Sequence, residues 1–237
     1  DGIGDACDSC AAPNPGATPC DLAISTIRNP AAAGHPSARA VVSTLGYVSA
    51  RKTNDLLVIQ EGTTGAPWQG IFVAADGLAG TLTTGARVGQ QVRVYGVYSE
   101  NFGVSTLTPA TITIENATQA AMTPLAVTAA QVNTAAGTGA EPYESLLVVV
   151  DGGGGGVTIT DDEPDTGPFF ELVVTGNLRL DDLIFPRYGT PATCNPSPCP
   201  YPPVGFTNGT TFPRVTGIMG FSFGNRKLYP RSSADFQ

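Results

Sequence analysis

Short runs of apolar residues, many of them β-branched, alternate with polar residues along most of the chain. Gly, Asn or Pro bounds each run, and helical periodicity is weak throughout. This pattern is typical of short strands in antiparallel sheets or barrels, so it predicts an all-β fold. The predicted strands cover residues 38–50, 55–62, 70–76, 90–100 and 110–116. The segments that best fit a helix are 22–28 and 124–133.

An internal repeat divides the chain. The frame V-x-G-x5-F-G-x3-L-x-P begins at Val94 and again at Val215, and LAIST near the start of one copy matches LAVTA in the other. We therefore predict two homologous domains, residues 22–118 and 119–237. The second domain carries the insertions, which are Gly-rich at 152–156, acidic at 161–165, and rich in Pro and Cys at 190–204.

The repeated glycines predict the shape of each copy. Gly96 and Gly217 lie inside apolar runs, where glycine permits a bulge or a sharp coil of the strand. The Phe-Gly pair that follows would turn a hairpin, with Gly103 or Gly224 supplying the positive φ. Short strands, one glycine-bent strand and a closing hairpin suit a small closed barrel.

Composition and charge narrow the class of protein. The net charge of −8 works against sequence-independent binding of a polyphosphate, which needs a surplus of Lys and Arg. The 29 Gly and 20 Pro fit a turn-rich, β-rich extracellular protein. No apolar run is long enough for a membrane span. Because the chain begins with Asp1, we expect it to be processed or trimmed from a longer parent.

Five cysteines occur in two Pro-rich stretches, and neither stretch has the paired spacing of a zinc site. They therefore predict disulfides in an oxidising compartment. Cys194 with Cys199 would close one small loop, and Cys10 with Cys20 would close another. Cys7 is then left for a partner outside this chain, and the alternative is a free buried thiol.

The first ten residues, DGIGDACDSC, have the oxygen donors and glycines of a calcium loop. They resemble the thrombospondin type 3 repeat, whose pattern is D-x-D-x-D-G-x-G-D-x-C-D, although the first two aspartates are missing. The resemblance implies an extracellular calcium-binding stalk over residues 1–21. Its partial site would use the carboxylates of Asp1, Asp5 and Asp8 and the carbonyl of Ile3. The alternative is an acidic, disulfide-bonded tail without metal.

The remaining chain resembles OB-like domains that accompany extracellular nuclease domains in secreted bacterial proteins. The residues that carry this resemblance are LLVIQE, GIFV and VRVYGV in the first copy, and YESLLVVV and RVTGIMGFSFGNRKLYPRSSAD in the second. It covers most of residues 22–237. It implies two tandem OB-like small β-barrels that bind or position a partner and do not cut it.

Catalytic groups are sparse. The one histidine, His35, lies in a Gly- and Pro-rich loop. GFSFG at 220–224 matches the G-x-S-x-G pattern of hydrolases, but that motif requires a strand-to-helix elbow, whereas Ser222 falls in the predicted hairpin. The acidic run 161–165 would hold a second calcium ion or, as we favour, form a solvated turn. We predict a protein that is not an enzyme.

A ligand face on the barrels would combine aromatic and basic side chains, as in single-strand nucleic-acid binding by OB folds. The residues that would form it are Trp68, Tyr95, Tyr98, Arg93, Arg226 and Lys227. The alternative is that many of these aromatics are core residues and that the basic residues protect edge strands.

The sequence thus predicts a non-catalytic bacterial protein, extracellular or at the cell surface, with a structural or adhesive role. It would be a self-assembling fibre subunit with calcium-stabilised contacts. Its partners would be copies of itself or other surface proteins. The alternative is an accessory module of a secreted nuclease that binds nucleic acid or a glycan.

Overall fold

The computed structural model describes residues 20–53, 55–75, 84–133, 139–165, 169–189 and 205–237. The chain divides into two compact units, Asp1–Met122 and Thr123–Gln237. Each unit consists mainly of β-strands around a hydrophobic core of its own, which confirms the predicted all-β class.

Several predicted site residues fall outside the described residues. The calcium ligands Asp1, Ile3, Asp5 and Asp8 are among them, as are Cys7, Cys10, Cys194 and Cys199. Cys20 lies at the start of the described chain. The calcium site and both disulfides therefore stay predictions.

The first unit is a closed five-stranded barrel preceded by one short helix. Its strands follow one another in the order β1-β2-β3-β5-β4, and β4 pairs back with β1. The β3–β5 pair is parallel and the other pairs are antiparallel. The elements are α1 (Ile24–Arg28), β1 (Val41–Lys52), β2 (Leu56–Gln60), β3 (Gly70–Ala74), β4 (Gln91–Asn101) and β5 (Val104–Asn116).

Burial follows the sequence pattern in this barrel. Val92 and Val94 alternate with half-buried residues along β4 and lie in the core, as period-two patterning requires. All five residues of β2 and of β3 are buried. The helix α1 adds Ile24 and Ile27 to the same core, so the helix predicted over 22–28 is confirmed.

The second unit is one curled sheet of eight strands in the order β11-β8-β9-β10-β13-β12-β7-β6. The β10–β13 and β6–β7 pairs are parallel. Single 3₁₀ turns lie at Glu141–Tyr143, Gly153–Gly155, Pro186–Gly189 and Ser233–Asp235. The strands and helix are β6 (Leu125–Val127), α2 (Ala129–Val132), β7 (Leu147–Asp151), β8 (Val157–Asp161), β9 (Leu172–Val174), β10 (Leu178–Leu180), β11 (Thr211–Phe212), β12 (Arg214–Ser222) and β13 (Asn225–Tyr229).

The helix predicted over 124–133 is wrong in its first half. Leu125–Val127 pairs with β7 as a parallel edge strand, so its backbone groups bond to the sheet. Thr128 then starts α2 through a capping box, in which its hydroxyl accepts from the Gln131 backbone N–H and the Gln131 side chain accepts from the Thr128 N–H. Only the second half of the segment is helical.

The repeated glycines behave alike in the two hairpin turns, but only the first unit has a bulge at the repeated strand glycine. A Cβ on Gly96 would lie 2.2 Å from the Thr108 carbonyl oxygen, and the β4–β5 register shifts between Tyr95 and Gly96, whereas β12 pairs with β7 through Gly217 without a shift. The hairpins β4–β5 and β12–β13 turn at Gly103 and Gly224, whose φ angles are 80° and 78°. The hairpin prediction is therefore confirmed in both units.

Candidate functional site

Two cationic side chains lie side by side on the sheet of the second unit. Arg179 on β10 and Lys227 on β13 are register partners in a parallel pair. Their neighbours Leu180 and Leu228 belong to the hydrophobic core. Because side chains alternate between the two faces of a strand, Arg179 and Lys227 project from the face opposite that core.

Three carboxylates join these cations into a chain of alternating charge. Glu171 lies between them: its Oε2 accepts from Arg179 Nη1 at 2.8 Å, and its Oε1 accepts from Lys227 Nζ. Asp165 accepts from Arg179 and forms one end of the chain, which we call its outer end. Asp181 accepts from Lys227 Nζ at 2.9 Å and forms the other, inner end. We refer to Asp165, Arg179, Glu171, Lys227 and Asp181 as the ion chain.

The inner part of the ion chain is buried. The Lys227 side chain is 1 % exposed, and a charge so far from water requires paired, hydrogen-bonded partners. Burial raises the pKa of the Asp181 carboxyl, and the Lys227 ammonium opposes that rise. The hydrogen bond with Asp165 raises the pKa of the Arg179 guanidinium, which therefore keeps its charge.

A pocket of about 240 Å³ opens above the outer end of the ion chain. Phe169 and Phe223 form its apolar walls and are 59 % and 95 % exposed. Its polar lining consists of Asp165, Glu171, Arg179 and Asn225. Exposed aromatic rings beside fixed polar groups are typical of ligand sites, because they offer apolar area and directed hydrogen bonds together.

The hairpin β12–β13 places Phe223 at its turn. Phe223 has a φ of 50°, and the Asn225 amide donates to its carbonyl oxygen at 3.1 Å. The Tyr229 ring lies against Gly220 on the same hairpin, where an added Cβ would come within 2.2 Å of it. Ser222 hydrogen-bonds to the Tyr229 side chain, whose burial raises its phenol pKa. The buried Tyr229 side chain therefore packs against the strand that leads into the turn.

The two basic residues predicted for a ligand face in this unit are both engaged in ion pairs. Lys227 belongs to the ion chain and lies 5.6 Å from the centre of the Phe223 ring. Arg226 donates to Glu141 at 2.6 Å and to Glu144 at 3.2 Å, and its guanidinium lies over the Phe221 ring. These cations are therefore neutralised where they stand.

In the first unit, the predicted ligand residues separate into two places. Arg93 bridges Asp21 and Glu115, and Tyr95, two residues along β4, is half-buried. Trp68 and Tyr98 instead lie around Arg28, which is 5.8 Å from the Trp68 ring centre.

Tyr98 is 3 % exposed, so its side chain belongs to the barrel interior. Its hydroxyl donates to Glu100 at 2.7 Å. Burial, with that hydrogen bond, raises the pKa of Tyr98 to about 12. The phenol is therefore neutral across the physiological range.

The structure shows what the sequence-level candidates for catalysis contact. His35 packs edge-on against Tyr98, with ring centres 5.8 Å apart. Ser222 ends β12 directly before the hairpin, as predicted, with no following helix. Neither residue belongs to a nucleophile–base pair among the described contacts.

The acidic run 161–165 forms a turn in which its side chains have defined partners. Asp161 accepts from the Glu163 backbone N–H at 3.0 Å, and Asp162 accepts from the Asn208 N–H at 2.8 Å. Asp165 belongs to the ion chain. Within the described parts of the chain, no group of three or more His, Cys, Asp or Glu side chains is placed to hold a metal ion.

Sequence analysis did not identify the residues that complete the pocket. Phe169 and Glu171 occur in GPFFELVV, directly before an apolar strand, and Arg179 interrupts the apolar run LRL. A charged residue between two strand leucines is a signal for a polar group on one face of a sheet. The register that brings Arg179 beside Lys227 is not readable from either segment alone.

No protein-family model matches the chain, and no curated protein is significantly similar to it. No helix in the described ranges is both long and apolar enough to cross a membrane.

Proposed function

We propose that this protein is a non-catalytic module, secreted or displayed on the cell surface, that adheres to a polymeric partner through the pocket of its second unit. The observation that carries this proposal is the pair of exposed rings, Phe169 and Phe223, set over the ion chain. Two exposed rings beside each other at a polar-lined pocket are typical of an interaction site, whereas a single exposed ring such as Phe102 is common on protein surfaces.

Both units are OB-like barrels in this proposal. The first has the strand order β1-β2-β3-β5-β4 with a parallel β3–β5 pair, as a five-stranded Greek-key barrel requires. In the second, the neighbouring strands β7-β12-β13-β10 correspond to β1-β4-β5-β3 of the first unit, and the last pair is parallel in both. Their shared strand order and Phe-Gly hairpin support a tandem repeat behind an N-terminal calcium-binding segment.

The ion chain is not a requirement of this type of hairpin. At the corresponding place in the first unit, Thr106 on β5 pairs with Phe72 on β3, and no ion pair forms there. Ser99, Asn101 and Thr106 instead form a neutral hydrogen-bonded group. The ion chain is therefore a feature of the second hairpin alone, and three of its members, Asp165, Glu171 and Arg179, line the pocket there.

Self-assembly into a fibre by strand addition has less support. The first barrel is closed, and the described sheet of the second unit ends at β11 and β6, of two and three residues. Short edge strands are a common protection against edge-to-edge pairing. We therefore favour adhesion to a partner over self-assembly into a fibre.

Nucleic-acid binding also has less support. The ion chain contains three carboxylates and two cations, and the whole chain carries a net charge of −8. A phosphate backbone needs unpaired cations, since the release of counterions drives its binding.

The proposal is tested by retention of the full chain, with calcium present, on immobilised polymers. The panel contains neutral polysaccharides, an anionic polysaccharide, single-stranded DNA and the chain itself. We expect retention on one class, loss of retention in Phe223→Ser, and normal retention in Phe102→Ser, the matched exposed ring of the first unit. Retention that is absent for every polymer, or equal in both variants, contradicts the proposal.

A further inference from the structure

We propose that the pocket of the second unit takes one ring of a neutral, hydroxyl-rich glycan. This inference rests on the proposed function and names the class of its ligand. It is carried by the apolar walls, the polar lining and the balance of charge within the pocket.

The apolar walls suit the flat face of a sugar ring. Phe223 and Phe169 expose most of their side-chain area at the pocket, and both are phenyl rings without a polar atom. The C–H face of a pyranose is apolar and matches an aromatic ring in width. Stacking there would remove apolar area of both partners from water.

The polar lining offers both kinds of hydrogen-bonding group that hydroxyls need. Asp165 supplies acceptor oxygens, Arg179 supplies donors in a fixed plane, and Asn225 supplies an amide. Arg179 is held between the carboxylates of Asp165 and Glu171, so its plane does not have to be ordered on binding. Neighbouring hydroxyls of a sugar each act as donor and acceptor, which this lining matches.

The charge balance selects against an ionic ligand. An anion would meet the carboxylates of Asp165 and Glu171, and a cation would meet the Arg179 guanidinium. Each of these charged groups already has an oppositely charged partner within the ion chain. A neutral ligand can hydrogen-bond to all of them without separating an ion pair.

The size of the pocket fits a single unit of a polymer. Its volume of about 240 Å³ is below the roughly 300–1,000 Å³ that holds a drug-sized ligand. One sugar ring would enter while its neighbours along the chain stay in solvent. A stacked nucleobase is the competing occupant. Its phosphate groups would then lie near a site whose cations are already paired with carboxylates.

The test is affinity electrophoresis of the full chain through gels that contain a neutral β-glucan, a neutral mannan, anionic alginate or single-stranded poly(dT). We expect retardation by a neutral polysaccharide that persists from low to high salt, because no ion pair forms on binding. Phe223→Ser should weaken it by about tenfold or more. Phe102→Ser should leave it unchanged, and melting curves should show that both variants are folded.

Three outcomes separate the two proposals. Retardation by poly(dT) or alginate alone, lost in Phe223→Ser, overturns the glycan inference and leaves adhesion through the pocket standing. Retardation by a neutral glycan that is equal in wild type and Phe223→Ser overturns the assignment of the site. No retardation in any gel overturns both.

Discussion

The ammonium group of Lys227 lies 5.6 Å from the centre of the Phe223 ring, although Lys227 is 1 % exposed and Phe223 is 95 % exposed. A buried cation thus lies directly beneath the most exposed part of the hairpin. This contact joins the ion chain to the wall of the pocket.

Replacing Lys227 by methionine should destabilise the second unit by about 3–5 kcal/mol, because Glu171 and Asp181 lose their shared buried partner. Denaturant unfolding followed by circular dichroism measures the change. The control is Lys52→Met in β1, a half-buried lysine, for which we expect about 0.5 kcal/mol or less. Adding Glu171→Gln to Lys227→Met should restore part of the stability. Equal unfolding midpoints for Lys227→Met and Lys52→Met would refute the ion-chain account.

Replacing Gly220 by alanine should lower the free energy of unfolding by about 1–3 kcal/mol, because the new Cβ would overlap the Tyr229 ring. Tyr229 would have to leave its buried position beside the hairpin. Gly154→Ala is the matched control, since no atom lies within 4 Å of a Cβ there. A Gly220→Ala chain as stable as Gly154→Ala would show that Tyr229 does not depend on this contact.

The phenol of Tyr98 should ionise late in the folded protein, because burial raises its pKa to about 12 from an ordinary value of 10.0. The unfolded chain then loses this proton before the folded chain does. Tyr98 therefore supports the fold fully below pH 10, and this contribution is lost as the pH rises through 12. Ultraviolet titration should show one tyrosine fewer ionising near pH 12 in Tyr98→Phe; an unchanged titration curve would be inconsistent with this assignment.

Replacing Phe223 by alanine should change the free energy of unfolding by about 0.5 kcal/mol or less, because its ring is 95 % exposed. Phe72→Ala provides the contrast: its ring is fully buried in β3, and the loss should be about 3–5 kcal/mol. Thermal melts of the two variants make the comparison. If Phe223→Ala were as unstable as Phe72→Ala, the ring would be a core residue and not a binding wall.

The sequence predicts the strands well where apolar residues alternate. Val92 and Val94 show this along β4, and the Phe-Gly pairs mark both hairpins because the second residue of each pair has a φ near 80°, which glycine adopts readily. The segment 124–133 shows the limit of such patterns. Its first residues have helical spacing, but the edge of β7 takes them as a strand.

The candidate site was less accessible to sequence reasoning. The basic character of Lys227 predicts a ligand face, whereas the structure places its charge among carboxylates contributed by other segments. The proximity of Arg179 and Phe169 to that hairpin depends on a parallel pairing between β10 and β13. Long-range register of this kind is set by tertiary packing and not by local pattern.

The most direct test of the central claim is an amide-detected NMR titration of the full chain with a neutral oligosaccharide cut from the polysaccharide that retards it. We predict that the largest shifts occur at Phe169, Arg179, Gly224 and the Asn225 side-chain amide. Shifts confined to the first unit, around Tyr95 or Trp68, or an absence of shifts at saturating sugar would contradict the claim that this pocket is the binding site.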